Sequence, residues 1–231
     1  MLLKIQSQNF LVVLLIVVWL CIVTWRESTH GQKQAFENIP EPLSATTQGF
    51  IQASDQAFVY RLLLIWLQQF DVQSGEYISY RNLNYNNLTG WLTSLQQMSP
   101  ESQYPMLLAT RIYTKVADQQ RMRLMLDYIY QQYQSRPEKN WRWLAEATVL
   151  ARHKLNDLPL ALRFAETLAN AAEPEIPFWV RDMRLTILED MGEYEQVKLL
   201  VGGLLANKAI SDPNEMRFLN ILLQRLQKNN N

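Results

Sequence analysis

The chain has 231 residues, of which 48% are hydrophobic and 19% are charged, and its 22 basic and 22 acidic side chains leave no formal net charge. The absence of a basic excess argues against a general nucleic-acid-binding protein, which has to neutralise phosphates. With only 7 glycines and 9 prolines, the chain also lacks the turn-forming residues of a dense all-β fold.

The N-terminal region, residues 1–26, contains an uncharged apolar segment from Phe10 to Trp25. A helix of about 17 to 25 apolar residues crosses a bilayer, and Trp19 and Trp25 are aromatic residues of the kind that lie at membrane interfaces. The segment therefore predicts a single transmembrane anchor. The alternative is a cleaved secretory signal, but the segment ends in Val-Thr-Trp-Arg-Glu, which lacks the small residues of a cleavage site.

The side of the membrane on which the bulk of the chain lies is predicted from the lengths of chain before and after the anchor. The tail before the anchor is short and the part after it is long, an arrangement that is typical of a signal anchor. Because the basic residues on the two sides are nearly balanced, they add little to the orientation. We therefore expect a single-pass membrane protein whose bulk is periplasmic or otherwise extracytoplasmic.

The part that follows the anchor begins with a linker and an N-terminal helical segment. Residues 27–47 are polar and include two prolines, which predicts a linker between the membrane and the folded domain. Residues 48–103 predict two helices, over 54–70 and 85–98. The first of them is apolar on most of its sides, so we expect it to be deeply buried.

Residues 104–231 predict three pairs of helices and a closing helix. The predicted helices are 106–116 with 121–133, 141–154 with 159–171, 178–191 with 194–205, and a final one over 214–226. Leu124, Ala161 and Val197 occupy comparable places in the second helices, at spacings of 37 and 36 residues. A two-helix period of this length is typical of a helical solenoid.

The third pair carries the clearest motif. Its turn and second helix, Asp190-Met-Gly-Glu-Tyr-Glu-Gln-Val197, resemble the turn, the aromatic residue and the small residue of tetratricopeptide repeats. The stretch from Asn156 to Ala161 is similar, and the resemblance covers about residues 104–209. It implies an all-α protein in which an N-terminal transmembrane helix is followed by an α-solenoid of helical hairpins.

Few residues could perform covalent or metal chemistry. The chain contains two histidines, His30 and His153, and one cysteine, Cys21, which lies in the predicted anchor. This composition excludes cysteine–histidine nucleophilic sites and zinc sites built from those residues. We therefore expect no enzymatic activity, no cofactor and no metal. A less favoured alternative is a two-carboxylate enzyme acting on an envelope polymer. Its acidic candidates are Asp118, Glu138, Glu146, Asp157, Asp182, Glu189 and Asp190.

The resemblance implies a partner-binding groove along the first helices of the pairs. The candidate groove residues are Met106, Tyr113, Trp143, Glu146, Trp179, Asp182 and Thr186. Aromatic and methionine side chains beside carboxylates would suit an extended peptide or an amphipathic helix. In the competing interpretation the aromatic residues belong to the core.

These patterns together favour a membrane-anchored helical-repeat scaffold or assembly factor that binds a protein partner beside the bilayer. The alternative is an accessory structural subunit of a larger membrane complex, with its transmembrane helix packed on partner helices. In both interpretations the partners are proteins, and the N-terminal helix contacts the lipid bilayer. No nucleic acid is expected as a partner.

Overall fold

The computed structural model describes residues 16–22, 24, 38–44, 47, 49, 51, 55–70, 83–171, 175–206, 210 and 212–229. Within these residues the regular secondary structure is helical and there is no strand. The all-α prediction is therefore confirmed. The chain divides into two compact units, Met1–Glu37 and Asn38–Asn231.

In the N-terminal unit, residues 16–22 and 24 are helical, and all of them, Trp19 included, have exposed side chains. The Thr24 hydroxyl donates a hydrogen bond to the Leu20 carbonyl oxygen at 2.9 Å. Across the described parts of the chain, no helix is both long enough and apolar enough to cross a membrane. The remainder of the predicted anchor, with Phe10 and Trp25, lies outside the described residues, so the anchor stays a prediction.

The described part of the second unit consists mainly of helices. They are α1 (Gln56–Gln69), α2 (Tyr85–Met98), α3 (Tyr104–Leu107), α4 (Gln119–Ser135), α5 (Pro137–His153), α6 (Leu158–Ala169), α7 (Phe178–Arg181), α8 (Met183–Asp190), α9 (Tyr194–Ala206) and α10 (Pro213–Asn229). Helix α3 continues into a π-helical turn, Leu108–Ile112, and a 3-10 turn, Tyr113–Lys115. The predicted helix over 106–116 is therefore present, with an irregular second half, and the predicted 178–191 helix is divided at Asp182.

Local sequence explains where several helices begin. The side chains of Asp55, Asn84, Asp118 and Asp157 accept hydrogen bonds from backbone N–H groups in the first turns of α1, α2, α4 and α6. Such caps satisfy donors that the helix itself leaves unpaired. Prolines stand in the first turn of α3, α5 and α6, where the missing N–H has no cost.

Each helix packs mainly on its neighbours in the sequence. Helix α1 packs on α2, α2 on the α3 segment and α4, α4 on α5, α5 on α6, α6 on α7 and α8, α8 on α9, and α9 on α10. A large core extends from Ile39 to Ile187. A smaller cluster, formed by Leu185, Leu188, Val197, Val201, Leu219, Leu222 and Leu226, holds the last three helices together.

The segment 38–44, predicted as the end of the linker, packs on α2. Ile39 is buried, and its carbonyl oxygen accepts a hydrogen bond from the Asn87 side-chain amide at 2.8 Å. The Trp91 indole N–H donates to the Pro40 carbonyl oxygen at 3.0 Å. These contacts make the segment from Asn38 onward a part of the folded unit.

Helix α1 is only half covered. Its buried side chains are Tyr60, Leu64 and Leu67, whereas Phe58, Leu62 and Ile65 are exposed along one face. The prediction that this helix is buried on most sides is therefore wrong for that face. The physical reason is that α2 is its main packing partner among the described helices and covers a single side.

Candidate functional site

Two residues of the predicted groove belong to the core. Met106 and Tyr113 are fully buried, and the Tyr113 carbonyl oxygen accepts a hydrogen bond from the Tyr85 hydroxyl at 3.0 Å. The segment that carries them lies against α2 and α4, which cover these side chains. The prediction that Met106 and Tyr113 line a groove is therefore wrong.

A half-buried tryptophan on α5 lies at the centre of an exposed polar cluster. The Trp143 indole N–H donates to the Gln103 side-chain oxygen. The Arg111 guanidinium lies 5.9 Å from the centroid of the Trp143 ring, within the range of a cation–π contact. Arg111 also pairs with Glu146, with 3.2 Å between its Nε and a carboxylate oxygen. The arrangement joins the π-helical turn to α5.

Val149 extends this cluster along α5. It lies three residues after Glu146, so that the two side chains are neighbours on the helix surface, and it is 44% exposed. We call Gln103, Arg111, Trp143, Glu146 and Val149 the Trp143 patch. It combines an aromatic surface, an exposed aliphatic side chain and charges of both signs.

The predicted groove residues on α7 and α8 have different surroundings. Trp179 is 54% exposed. Thr186 is half-buried and its hydroxyl accepts a hydrogen bond from Arg152 at 3.3 Å. Arg152 also pairs with Asp190, with 2.6 Å between Nε and the carboxylate. Trp179 is therefore accessible to a partner, whereas Thr186 supports a contact between α5 and α8.

Asp182 is buried, with only 4% of its surface exposed. One of its carboxylate oxygens has no hydrogen-bond partner among the described residues. Burial raises the pKa of Asp182 to about 6, and the negative charge of Glu215 adds to the rise, while Arg184 and Arg181 oppose it. An exposed binding role for Asp182 is therefore wrong, because the fold encloses its side chain.

Ion pairs connect helices across a nearly constant distance in sequence. The pairs are Arg111–Glu146, Arg123–Asp157, Asp127–Arg163, Arg152–Asp190 and Glu189–Arg225. In each pair the partners are 34 to 38 residues apart, which matches the predicted two-helix period. Exposed ion pairs contribute little stability individually, and these join helices that are not consecutive in the chain, such as α4 with α6 and α5 with α8.

Most of the acidic residues considered for catalysis have structural partners. Asp118 and Asp157 cap helices, and Glu146, Glu189 and Asp190 pair with arginines. In the part of the chain that the structure describes, no group of three or more metal-binding side chains comes together.

Sequence reasoning missed Gln103, Arg111 and Val149 as members of the exposed patch. The spacing of 35 residues between Arg111 and Glu146, with opposite charges, is a signal that could have identified that pair. Val149 offered no such signal, because an isolated valine in an amphipathic helix is usually assigned to the core.

Comparison of the chain with protein-family models, with curated proteins and with solved structures gives no match in any of the three.

Proposed function

We propose that this chain is a membrane-anchored helical-repeat scaffold or assembly factor that binds a protein partner beside the bilayer. The observation that carries the proposal is the Trp143 patch, where an arginine lies over a half-buried indole and pairs with a neighbouring carboxylate. Aromatic and arginine side chains are the residues that contribute most to binding at protein interfaces.

The proposed architecture is an α-solenoid of tetratricopeptide-like hairpins. Three observations support it. Helices pack chiefly on their sequence neighbours, ion pairs join residues 34 to 38 positions apart, and the turns at Asn156 and Gly192 share a left-handed backbone conformation. In solenoids each hairpin contacts only its neighbours, so long first-helix surfaces remain available for partners.

The membrane part of the proposal rests on the apolar segment from Phe10 to Trp25. An anchor of this kind would hold the binding surface close to membrane-associated partners and raise their effective concentration, so that weak contacts could suffice. We propose a periplasmic or otherwise extracytoplasmic location for the folded unit. A reporter fused after Asn231 tests that orientation.

The partner surface that fits the patch is an amphipathic helix or an extended peptide with apolar and charged side chains. Trp143 and Val149 supply apolar area, while Arg111 and Glu146 can pair with charges of either sign. A partner that covered them would exclude water from the Arg111–Glu146 pair and strengthen its electrostatic interaction.

The test is crosslinking and affinity purification of the full chain from native membranes. A double variant, Arg111→Ala with Val149→Asp, changes two exposed side chains of the patch and should reduce partner recovery at least tenfold. The matched control is Leu199→Asp, at a 76% exposed apolar position on α9, which should retain the partner. Equal recovery with the double variant and the unmodified chain would refute the proposed binding surface.

Replacement of residues 1–26 by an unrelated membrane anchor separates the scaffold from the alternative of an accessory subunit. A tethering scaffold keeps its partner after the exchange, because only proximity to the bilayer is needed. A subunit whose transmembrane helix packs on partner helices loses it.

A further inference from the structure

The uncovered side of α1 carries three large apolar side chains. Phe58, Leu62 and Ile65 follow one another at spacings of four and three residues, which places them along one side of the helix. Each of them is between 49% and 59% exposed, whereas the opposite side of the helix belongs to the large core. We call these three residues the α1 stripe. Single exposed apolar residues are ordinary, but a contiguous group of them marks a surface that contacts another molecule or a membrane.

The charge on this helix is of one sign. Arg61 is exposed, lies between Phe58 and Leu62 in the sequence, and is the one charged residue of α1. The nearest preceding carboxylate, on Asp55, is used as the N-cap, where it accepts a hydrogen bond from the Phe58 backbone N–H at 3.1 Å. An arginine can lay its aliphatic stem along an apolar surface and extend its guanidinium to lipid phosphates. The stripe and Arg61 therefore match the two layers of a membrane surface.

Helix α1 lies beside the point at which the chain enters the folded unit. Trp91 of α2 contacts both parts. Its indole N–H donates to the Pro40 carbonyl oxygen at 3.0 Å, and its ring centroid lies 4.7 Å from that of Trp66 on α1. Since the folded unit begins at Asn38, the start of this unit and α1 are attached to the same tryptophan.

The length of the tether limits how far this region can move from the bilayer. Residues 26–37 connect the predicted anchor to Asn38, and these twelve residues span at most about 40 Å when fully extended. A tether of this length holds α1 near the lipid surface and raises the effective concentration of lipid at the stripe. This step rests on the anchor proposed above.

We infer that the α1 stripe is a second membrane contact, in which Phe58, Leu62 and Ile65 enter the boundary between headgroups and acyl chains and Arg61 reaches the lipid phosphates. A second copy of the chain fits the stripe less well. Two-fold pairing about the middle of the stripe would bring the two Arg61 side chains together, and like charges at an interface repel. With two attachments, the anchor and the stripe, the folded unit keeps one orientation on the bilayer.

The experiment uses the full chain in lipid nanodiscs of phosphatidylcholine and phosphatidylglycerol, with a nitroxide spin label on a single cysteine. Cys21→Ser removes the native cysteine. Leu62→Cys places the label in the stripe, and Leu199→Cys, at the exposed apolar position of α9, is the matched control. Electron paramagnetic resonance compares access of oxygen, which dissolves in lipid, with access of a nickel chelate, which stays in water. The ratio of oxygen to nickel access should be at least fivefold higher at position 62.

Charges introduced into the stripe test whether its apolar side chains make the contact. Phe58→Asp with Ile65→Asp, in the chain labelled at position 62, should lower the ratio to the value measured at position 199. The matched control is Met216→Asp with Ile221→Asp, which changes two exposed apolar positions of α10 and should leave the ratio at position 62 unchanged.

The outcomes that would overturn the inference are distinct from one another. Equal ratios at positions 62 and 199, in a chain that remains in the nanodiscs, would show that the stripe faces water and is open to a protein partner, while the anchor stands. An unchanged ratio after Phe58→Asp with Ile65→Asp would show that the stripe does not make the contact.

Low access of both reagents to position 62 would show that protein covers the stripe. Spin–spin broadening that disappears on dilution with unlabelled chain would identify that protein as a second copy. Loss of the chain from the nanodiscs would refute the anchor and this inference together. Partner recovery with the Arg111 and Val149 variants is a separate measurement, so the proposed binding surface can fail while the membrane contact stands.

Discussion

Asn156 and Gly192 adopt the same left-handed backbone conformation, with φ angles of 55° and 79°, in turns that are 36 residues apart. Asn156 lies between α5 and α6, and Gly192 lies between α8 and α9. In both turns the amide of the next residue, Asp157 or Glu193, donates to a carbonyl oxygen of the preceding helix at 2.9 Å. Glycine and asparagine tolerate this conformation best, so each turn has a tolerant residue where the backbone becomes left-handed.

Substitution of Gly192 tests the left-handed turn. Gly192→Ala forces a side chain into a conformation that L-residues disfavour, and it should lower the free energy of unfolding by about 1–2 kcal/mol. The control is Gly202→Ala in α9, where an added Cβ meets nothing within 4 Å. Because alanine has the higher helix propensity, this variant should raise the free energy of unfolding by up to about 1 kcal/mol. Urea unfolding of the two variants measures both effects. Opposite signs are expected, and a stabilising Gly192→Ala would contradict the assignment of the turn.

The buried carboxyl of Asp182 predicts a pH-dependent stability. Its pKa in the folded protein is about 6, above the ordinary value of 3.8. The folded state therefore holds the proton more tightly than the unfolded state, and stability falls as pH rises from about 4 through 6. Asp182→Asn removes this dependence and should be more stable than the unmodified chain at pH 8. Between pH 4 and pH 8, the difference in the free energy of unfolding between the two proteins should shift in favour of the variant by up to about 3 kcal/mol.

Chemical denaturation of both proteins at pH 4, 6 and 8 measures this difference. Glu215→Gln provides the comparison, since Glu215 contributes to the raised pKa of Asp182 by its charge. This variant should keep a smaller pH dependence of the same sign. A constant difference between Asp182→Asn and the unmodified chain at all three pH values would show that the carboxyl is not titrating in that range.

The Arg152–Asp190 pair predicts a measurable coupling between α5 and α8. Both side chains are partly exposed, with 2.6 Å between the guanidinium Nε and the carboxylate, so we expect a coupling free energy of about 0.5–1 kcal/mol. A double-mutant cycle with Arg152→Ala and Asp190→Ala isolates it. The same cycle on Asp127 and Arg163, whose atoms are 3.4 Å apart and more exposed, should give a smaller value. Equal coupling free energies in the two cycles would contradict the expectation that the shorter and less exposed pair interacts more strongly.

The stacked pair of Phe164 and Tyr130 predicts where truncation is costly. Phe164 is fully buried and its ring lies 5.2 Å from that of Tyr130, at an angle of 19°. Phe164→Ala should lower the free energy of unfolding by about 3–5 kcal/mol. Phe58→Ala removes the same side chain from the exposed face of α1 and should change stability by less than about 1 kcal/mol. Thermal and urea unfolding compare them, and similar losses would place Phe58 in a packed environment.

Helix positions were accessible from the sequence because their signals are local. The predicted 85–98 helix coincides with α2, and Asn84 supplies its cap through a side chain directly before the first turn. The helix predicted over 106–116 begins close to its predicted start, because the first turn of α3 holds Pro105, and a proline at this position needs no hydrogen-bond partner. The π-helical turn after Leu107 was not predicted, because it has no recognisable pattern at the level of sequence.

The candidate site was predicted less well. Trp179 is exposed as the groove required, but Met106, Tyr113 and Asp182 are buried. Helical periodicity distinguishes an apolar face from a polar one, yet it does not say whether a second helix covers the flank of that face. Contact with α2 and α4, the helices directly before and after this segment, decides this for Met106 and Tyr113.

The sequence by itself determined an all-α chain and the approximate extent of most of its helices, because helical periodicity depends on residues within one or two helical turns of one another. Tertiary structure alone decided which apolar side chains stay exposed, as on α1 and at Val149, and which polar atoms are enclosed, as in Gln96, Asn140 and Asp182. Burial is a property of the neighbours that a helix acquires on packing, and those neighbours lie tens of residues away along the chain.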